Sequence, residues 1–225
     1  MQEESPFNTI PPVILIVTGI MFAVEVVLSL SGQALIGGRE GIGWRIAAWE
    51  DYGFSPAFMP FLFAPGVDQF DVLKRFVTYA FIHASFTDAA FAIVITLAIG
   101  KFVGEVMRDS AMAILYIACT ILPAIIFGLV APDGAWLFSG YAPAYGLIGA
   151  YTYILWIYLR RRGERQIAAF RLIGFLLALQ IVYTAIFGAS SRWIAEVPGF
   201  IVGFCVTPIL LPGGWSALLA KLRTR

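Results

Sequence analysis

Long apolar stretches separated by short polar ones dominate the chain. Six apolar runs lie at about 12–30, 84–103, 111–131, 142–159, 167–187 and 194–211. Each is close to the ~20 residues that a helix needs to cross a bilayer. The pattern predicts an all-α polytopic membrane protein, a bundle of six transmembrane helices forming one membrane domain over residues 1–225.

The composition agrees with a protein that lives in a bilayer. Of the 225 residues, 60% are hydrophobic and 13% are charged, and the mean hydropathy is +0.86. Soluble domains have about 45–50% apolar and about 25% charged residues. The composition therefore excludes a soluble enzyme, a disordered chain and a lone anchor on a soluble domain.

Charge and histidine content exclude two further classes of function. The net charge of +1 gives no electrostatic basis for binding nucleic acid. One histidine in the whole chain excludes zinc sites built on paired histidines, and no metal or cofactor is predicted. Cys119 and Cys205 lie in apolar runs and are interpreted as two small buried side chains. The N-terminus lacks the features of a cleavable signal peptide, so the first run is expected to remain as an anchor.

The distribution of basic residues predicts the orientation. With a cytoplasmic N-terminus, ten of the fifteen lysines and arginines fall in inner segments, and the cluster at 160–165 follows the fourth run. By the positive-inside rule both termini are cytoplasmic. The inner residues are Lys101, Arg108, Arg160, Arg161, Arg162, Arg165, Arg171, Lys221, Arg223 and Arg225, and the outer ones are Arg39, Arg45, Lys74, Arg75 and Arg192.

One long connection, residues 31–75, lies on the outer side in this orientation. It is rich in aromatic residues interrupted by Gly and Pro, which predicts a structured element in the headgroup layer. No internal repeat is evident, so a transporter built from inverted repeats receives little support. The aromatic residues are Trp44, Trp49, Tyr52, Phe54, Phe58, Phe61 and Phe63.

Small residues recur at four-residue spacing in the fourth and sixth runs. Ala142, Gly146 and Ala150 share one face of the fourth helix, and Gly199 and Gly203 form a GxxxG pattern in the sixth. Such spacing lets two helix backbones approach closely. The pattern predicts helix packing and no chemistry.

Polar residues within the apolar runs indicate a candidate site. A carboxylate at membrane depth costs several kcal/mol, so its presence suggests a function. Asp88, Tyr141 and Glu196 all fall near the outer ends of their runs and are expected at similar depth. Glu25 lies near the outer end of the first run, where the side chain is expected to reach water.

Three segments carry recognisable motifs, and they are RFVTYAFIHASFTDAAFAIVITLAIGKFVGEV at 75–106, SGYAPAYGLIGAY at 139–151 and AEVPGFIVGF at 195–204. Together they resemble the rhomboid family of intramembrane serine proteases. The first resembles that family's second span, which reads R-x-x-T-x-x-F-x-H-x-x-x-x-H-x-x-x-N and ends in G-(K/R)-x-x-E. SGYAPAYGLIGAY at 139–151 resembles its GASGAxxGLxGAY catalytic segment, and AEVPGFIVGF at 195–204 its AHxxGxxxG sixth span. The resemblance covers nearly the whole chain and implies a six-helix rhomboid-like bundle.

The positions that carry the family's chemistry are changed. The resemblance places the nucleophilic serine at Tyr141 and the glycine after it at Ala142. It places the general-base histidine at Glu196, and the histidine and asparagine that stabilise the oxyanion at Asp88 and Ala92. Scaffold positions are retained at Thr78, His83, Gly100, Glu105, Gly146, Gly149, Gly199 and Gly203.

These replacements do not suit acyl transfer. A phenol with a pKa near 10 and a carboxylate with a pKa near 4.3 are poorly matched for proton transfer at neutral pH. An ionised aspartate only accepts hydrogen bonds, so Asp88 would repel an oxyanion. Ser139 becomes the nucleophile only if the alignment slides by two residues, which breaks the match through GLIGAY. His83, which could also pair with Ser85 or Ser139, is expected to be structural, as the family's first histidine is.

The leading hypothesis is therefore a rhomboid-like pseudoprotease of a bacterial inner membrane. It would bind transmembrane helices of other membrane proteins without cutting them, alone or as a subunit of a larger complex. A polar cavity of Tyr141, Asp88, Glu196 and Ser139 is expected, in which the two carboxylates share a proton or only fill vacated space. The alternatives are an active rhomboid-type serine endopeptidase with a non-standard site, and a proton- or cation-linked carrier using Asp88 and Glu196.

Overall fold

The protein is an assembly of helices without β-strands in the part that the computed structural model describes, residues 10–187 and 190–214. Three short 3₁₀ helices, Pro56–Phe63, Tyr79–Phe81 and Gln166–Phe170, join the α-helices. The α-helices are α1 Pro12–Gly32, α2 Gly38–Gly41, α3 Trp44–Tyr52, α4 Gln69–Thr78, α5 Phe86–Gly104, α6 Asp109–Val130, α7 Tyr141–Arg162, α8 Arg171–Phe187 and α9 Trp193–Leu210.

Each of the six predicted apolar runs coincides with one long helix, so the prediction of a helical membrane protein is confirmed. The helices α1, α5, α6 and α9 are long and apolar enough to cross a bilayer. The helix α8 has only 17 residues. The helix α7 has 22 residues, but its tyrosine and glycine residues lower its hydropathy. The count of six transmembrane helices therefore stays a prediction.

Helix α7 is the central helix of the bundle. Residues 142–150 are all buried, and α7 packs against α5, α6 and α9. Its approach to α9 depends on glycine, since a Cβ added at Gly203 would collide with the carbonyl oxygen of Gly146, and one at Gly199 with that of Ala142. The small residues at four-residue spacing thus lie at the α7–α9 contact, where backbones meet directly.

The segment between α1 and α5 is folded and caps one end of the bundle, which we call the α3 end. The alternation of the long helices brings the starts of α5, α7 and α9 to this same end. The aromatic side chains of Phe54, Phe76 and Tyr79 pack there with Phe127 of α6 in one buried cluster. Burial of these rings stabilises the folded segment, whereas an unstructured loop would bury no such surface.

Two arginines hold this segment in place. Arg75 Nη1 donates hydrogen bonds to the carbonyl oxygens of Glu50, at 2.6 Å, and Gly53, at 3.1 Å. Arg45 of α3 binds the carboxylate of Glu25 in α1. The start of α3 is therefore held to the last turns of α1, and the end of α3 to α4, by specific polar contacts as well as by apolar burial.

One prediction about the cysteines is wrong. Cys119 is buried in α6, but Cys205 is exposed on α9. Both lie in apolar runs, and only the rotation of each helix decides which side chain faces the bundle. The predicted cytoplasmic residues Lys221, Arg223 and Arg225, together with residues 1–9 of the N-terminal segment, lie outside the described residues.

Candidate functional site

The three polar residues singled out in the sequence meet at the α3 end. Asp88 lies in the first turn of α5, Tyr141 begins α7, and Glu196 lies in the first turn of α9. The close packing of α7 on α9 brings the last two side chains to neighbouring positions, where both line one small cavity. We call Asp88, Tyr141, Arg192 and Glu196 the polar site.

Asp88 is held by an ion pair that the sequence did not reveal. Arg192, directly before α9, places Nη1 2.8 Å from Asp88 Oδ1. The other carboxylate oxygen accepts a hydrogen bond from the backbone N–H of Ala84 at 3.2 Å. The guanidinium carbon of Arg192 also lies 5.3 Å from the centre of the Phe138 ring, a cation–π contact. The one feature of the sequence that pointed to Arg192 is its position four residues, or one helical turn, before Glu196.

Glu196 has a different partner. Its side chain is nearly buried, at 7% exposure, and Oε2 accepts a hydrogen bond from Gln180 Nε2 of α8 at 2.7 Å. Each carboxylate is thus satisfied separately, by Arg192 or by Gln180, and this differs from the expected shared proton. Gln180 was not predicted as a site residue, although an amide side chain in the middle of an apolar run indicates a buried polar contact.

Tyr141 does not bind either carboxylate. Its hydroxyl lies 3.5 Å from the backbone carbonyl oxygen of Asp88, at the limit of a hydrogen bond. The cavity beside it has a volume of about 10 Å³ and is lined by Ser139, Tyr141, Arg192 and Glu196 with apolar neighbours. A space of ~10–15 Å³ holds about one water molecule. Of the four residues expected to form a polar cavity, Ser139, Tyr141 and Glu196 line this small space and Asp88 does not.

Ser139 lies beside this cavity in an unusual backbone conformation. Its φ of 99° is in the left-handed region that favours glycine. Its N–H donates to the carbonyl oxygen of Tyr79 at 2.9 Å. The buried hydroxyl has no hydrogen-bond partner among the described residues, so no base is in place to remove its proton.

His83 is a structural residue in this geometry. Its Nε2 accepts a hydrogen bond from the backbone N–H of Gly140 at 3.3 Å, directly before α7. Burial lowers the pKa of the His83 imidazole, and the carboxylates of Asp88 and Glu25 only partly oppose that effect. The lone pair that a general base would use is therefore engaged with the backbone.

Glu25 is buried, although the sequence suggested that it reaches water. Its side chain is 2% exposed and receives two hydrogen bonds from Arg45, at 2.7 and 3.0 Å, and one from Ser29 at 2.6 Å. Arg45 also donates to the carbonyl oxygen of His83 at 2.7 Å. Through Arg45, Glu25 therefore anchors α3 and the chain before α5 onto α1.

The remaining predicted residues have packing or surface positions. Ala92 is buried in α5 and offers no side-chain donor to an oxyanion. A Cβ at Gly100 would lie 2.8 Å from the Ile14 side chain, so this glycine sets the α1–α5 contact. Glu105 is exposed at the end of α5. Within residues 10–187 and 190–214, no cluster of three or more potential ligands could hold a metal ion.

Comparison with known families gives one match. A sequence model of the family described as Rhomboid domain matches residues 71–213, which include all three segments that carry the resemblance. No curated protein matches the chain at a significant level.

Proposed function

The chain belongs to the rhomboid family of intramembrane proteins, and from this premise we propose that it is a pseudoprotease, which binds transmembrane segments of partner proteins without cleaving them. The observation that carries the proposal is the Asp88–Arg192 ion pair of 2.8 Å. Asp88 occupies the position at which the family resemblance expects an oxyanion-stabilising histidine. A carboxylate there opposes the negative charge that peptide hydrolysis develops.

The nucleophile and base positions support the same proposal. Nucleophilic catalysis needs a hydroxyl within hydrogen-bond reach of a base. Tyr141 faces a backbone carbonyl, and Glu196 accepts from Gln180. Within the described residues, neither of these groups donates to or accepts from the other.

Available space is a further argument against cleavage. A scissile peptide needs room beside the nucleophile for a tetrahedral intermediate, whereas the cavity next to Tyr141 has room for about one water. The ring of Phe138 and the guanidinium of Arg192 help to line this cavity. Binding of a partner helix is therefore expected beside the polar site and not within it.

The surface between α5 and α8 is the best candidate for such binding. Near its N-terminus α8 shares an apolar cluster with Ile95 and Ile99 of α5. Phe91 of α5, one turn closer to the α3 end, is 60% exposed. Further along α8, the hydrogen bond from Gln180 to Glu196 links α8 to α9. A partner helix in the bilayer could pack on this exposed apolar surface.

We place the protein in a bacterial inner membrane, alone or within a larger complex.

The absence of proteolysis is tested with purified protein in detergent or liposomes. We expect no labelling by a serine-reactive fluorophosphonate and no cleavage of transmembrane substrates, with an active rhomboid protease as the positive control. Labelling lost in Ser139→Ala, or cleavage lost in Tyr141→Phe, would overturn the proposal in favour of an active protease with a non-standard site. Proton or cation flux in liposomes that Glu196→Gln abolishes would favour a carrier.

Binding is tested with a photoreactive phenylalanine analogue in the membrane. At Phe91, 60% exposed on α5, we expect crosslinks to the transmembrane segment of a partner that is recovered at full length. The matched control is Phe22 of α1, which is 58% exposed on a different helix. Equal crosslinking at both positions, or recovery of cut partners, contradicts the proposal.

A further inference from the structure

A second concave surface lies at the α3 end, next to the polar site. It is a groove of about 250 Å³ between α3 and the connection from α6 to α7. Of its lining rings, Trp136 is 39% exposed, so a solute can reach the groove from the surface. We call this surface the aromatic groove, and its lining residues are Ile46, Trp49, Glu50, Trp136 and Phe138.

The lining combines three aromatic rings with one carboxylate and includes no basic residue. Glu50 is exposed, and its carboxylate forms no ion pair within the part of the chain that the structure describes. Arg45 of α3 pairs with Glu25, and Arg75 pairs with Asp71 and reaches Glu50 at its backbone carbonyl oxygen. The negative charge of Glu50 is therefore available to a ligand.

The rings are held in fixed positions. Trp49 stacks on Phe138 with ring centres 4.8 Å apart and an angle of 5° between the planes. Trp136 meets Phe58 edge-on at 6.1 Å. A ligand that binds them pays little entropy for ordering the side chains, because packing has already fixed these rings.

Cations already lie over aromatic rings at this end of the molecule. The Lys74 ammonium is 4.9 Å from the centre of the Tyr52 ring, and the Arg75 guanidinium carbon is 4.1 Å from that of Phe58. Of the groove's own rings, Phe138 has the Arg192 guanidinium carbon 5.3 Å from its centre, whereas Trp49 and Trp136 have no such cation among the described residues. Aromatic faces with a nearby carboxylate are the chemistry that recognises ammonium groups.

We propose that the aromatic groove binds the ammonium headgroup of a phospholipid. The groove lies at the end of a membrane bundle, and Arg45 ties its helix α3 to Glu25 in the last turns of α1, where headgroups are found. The groove, of about 250 Å³, is open to the surface and has room for a small headgroup. Glu50 selects against anionic headgroups. This inference does not depend on the absence of proteolysis.

The test is native mass spectrometry of the full-length protein from micelles that contain equal amounts of phosphatidylethanolamine and phosphatidylglycerol. We expect preferential retention of phosphatidylethanolamine, and a loss of about two- to five-fold in this preference for Glu50→Gln and for Trp136→Leu, as expected for an exposed cation–π site. Trp136→Phe, which keeps a ring, is expected to retain most of the preference. Tetramethylammonium chloride is expected to displace the lipid better than sodium chloride at equal ionic strength.

The matched control is Asp51→Asn, which removes the same charge from the neighbouring exposed residue outside the groove. It is expected to leave the preference unchanged. Equal loss in Asp51→Asn and Glu50→Gln overturns the proposal, because the effect would then come from overall charge. Equal retention of the two lipids by the unmodified protein also overturns it. The Glu50→Gln result stands even if Trp136→Leu fails to fold.

Discussion

At the scale of single residues, three carboxylates that are buried or partly buried in the apolar bundle each have a polar partner. Asp88 pairs with Arg192, Glu196 with Gln180 and Glu25 with Arg45. An unpaired buried charge is strongly unfavourable, whereas a well-bonded pair is close to neutral for stability. Asp88 and Glu196, which we propose to replace the family's catalytic histidines, therefore each have a partner in the structure.

The ion pair at Asp88 predicts a specific loss of stability. Asp88→Asn leaves Arg192, only 29% exposed, without its counter-charge, so we expect the free energy of unfolding to fall by about 1–3 kcal/mol. Arg192→Gln should cost a similar amount, and the double variant less than the sum, since the second change removes an interaction already lost. Unfolding by denaturant in micelles measures all three.

The control for this prediction is Asp109→Asn. Asp109 is also an acidic residue in the first turn of a long helix, but it is exposed and has no ion pair within the described ranges. It is expected to change stability by less than about 0.5 kcal/mol. Equal losses for Asp109→Asn and Asp88→Asn, or strictly additive losses in the double variant, would contradict the assigned role of the ion pair.

At the scale of helices, the contact between α7 and α9 holds the polar site together. A Cβ added at Gly199 would collide with backbone atoms of Ala142, and one added at Gly203 with backbone atoms of Gly146. In a bilayer there is little hydrophobic drive between helices, so close van der Waals packing of this kind supports their association. The short separation also brings Tyr141 and Glu196 to the same cavity.

This contact predicts opposite outcomes for two glycine substitutions. Gly203→Ala places a methyl group against the Gly146 backbone, and we expect stability to fall by about 1–3 kcal/mol or more. Gly174→Ala on α8 is the control, since a Cβ there has open space, and it is expected to be neutral or to stabilise by up to about 1 kcal/mol. The loss of helical signal on heating compares the two, and equal melting temperatures would refute the packing argument.

At the scale of the whole molecule, the two ends of the bundle differ in chemistry. The α3 end contains the polar site and the aromatic groove, whereas the opposite end contains Arg160, Arg161 and Arg162 in the last turn of α7. The positive-inside rule predicts that the arginine end faces the cytoplasm. In that orientation the polar site opens away from the cytoplasm, and the aromatic groove meets the outer leaflet.

Cysteine labelling tests this orientation. Cys119 is buried, so a Cys205→Ser background is expected to react weakly with a membrane-impermeant thiol reagent. On this background we expect Asp133→Cys, at the α3 end, to react in intact cells, and Arg161→Cys to react only after the membrane is opened. The reverse pattern would show that the arginine end faces outward.

The helices and the location of the candidate site could be predicted from the sequence, because hydropathy is a local property. Runs of apolar residues predicted every long helix, and helix alternation placed Asp88, Tyr141 and Glu196 at one end of the bundle. The motifs at 75–106, 139–151 and 195–204 predicted the family, which the match over residues 71–213 confirms. That no cleavage occurs stays a prediction, since it depends on chemistry at four positions and not on the fold.

Only the tertiary structure decided which polar groups pair and which surfaces remain open. Arg192 meets Asp88 across 104 positions of the chain, and Arg45 reaches Glu25 from a different helix. Such pairs depend on the rotation and depth of each helix, which apolar runs leave undetermined. The same rotation exposes Cys205, buries Glu25 and places Trp49 beside Trp136 around one groove. The sequence by itself determined a helical bundle of the rhomboid family and predicted that its catalytic positions are changed, and packing decided which partners the side chains at those positions have.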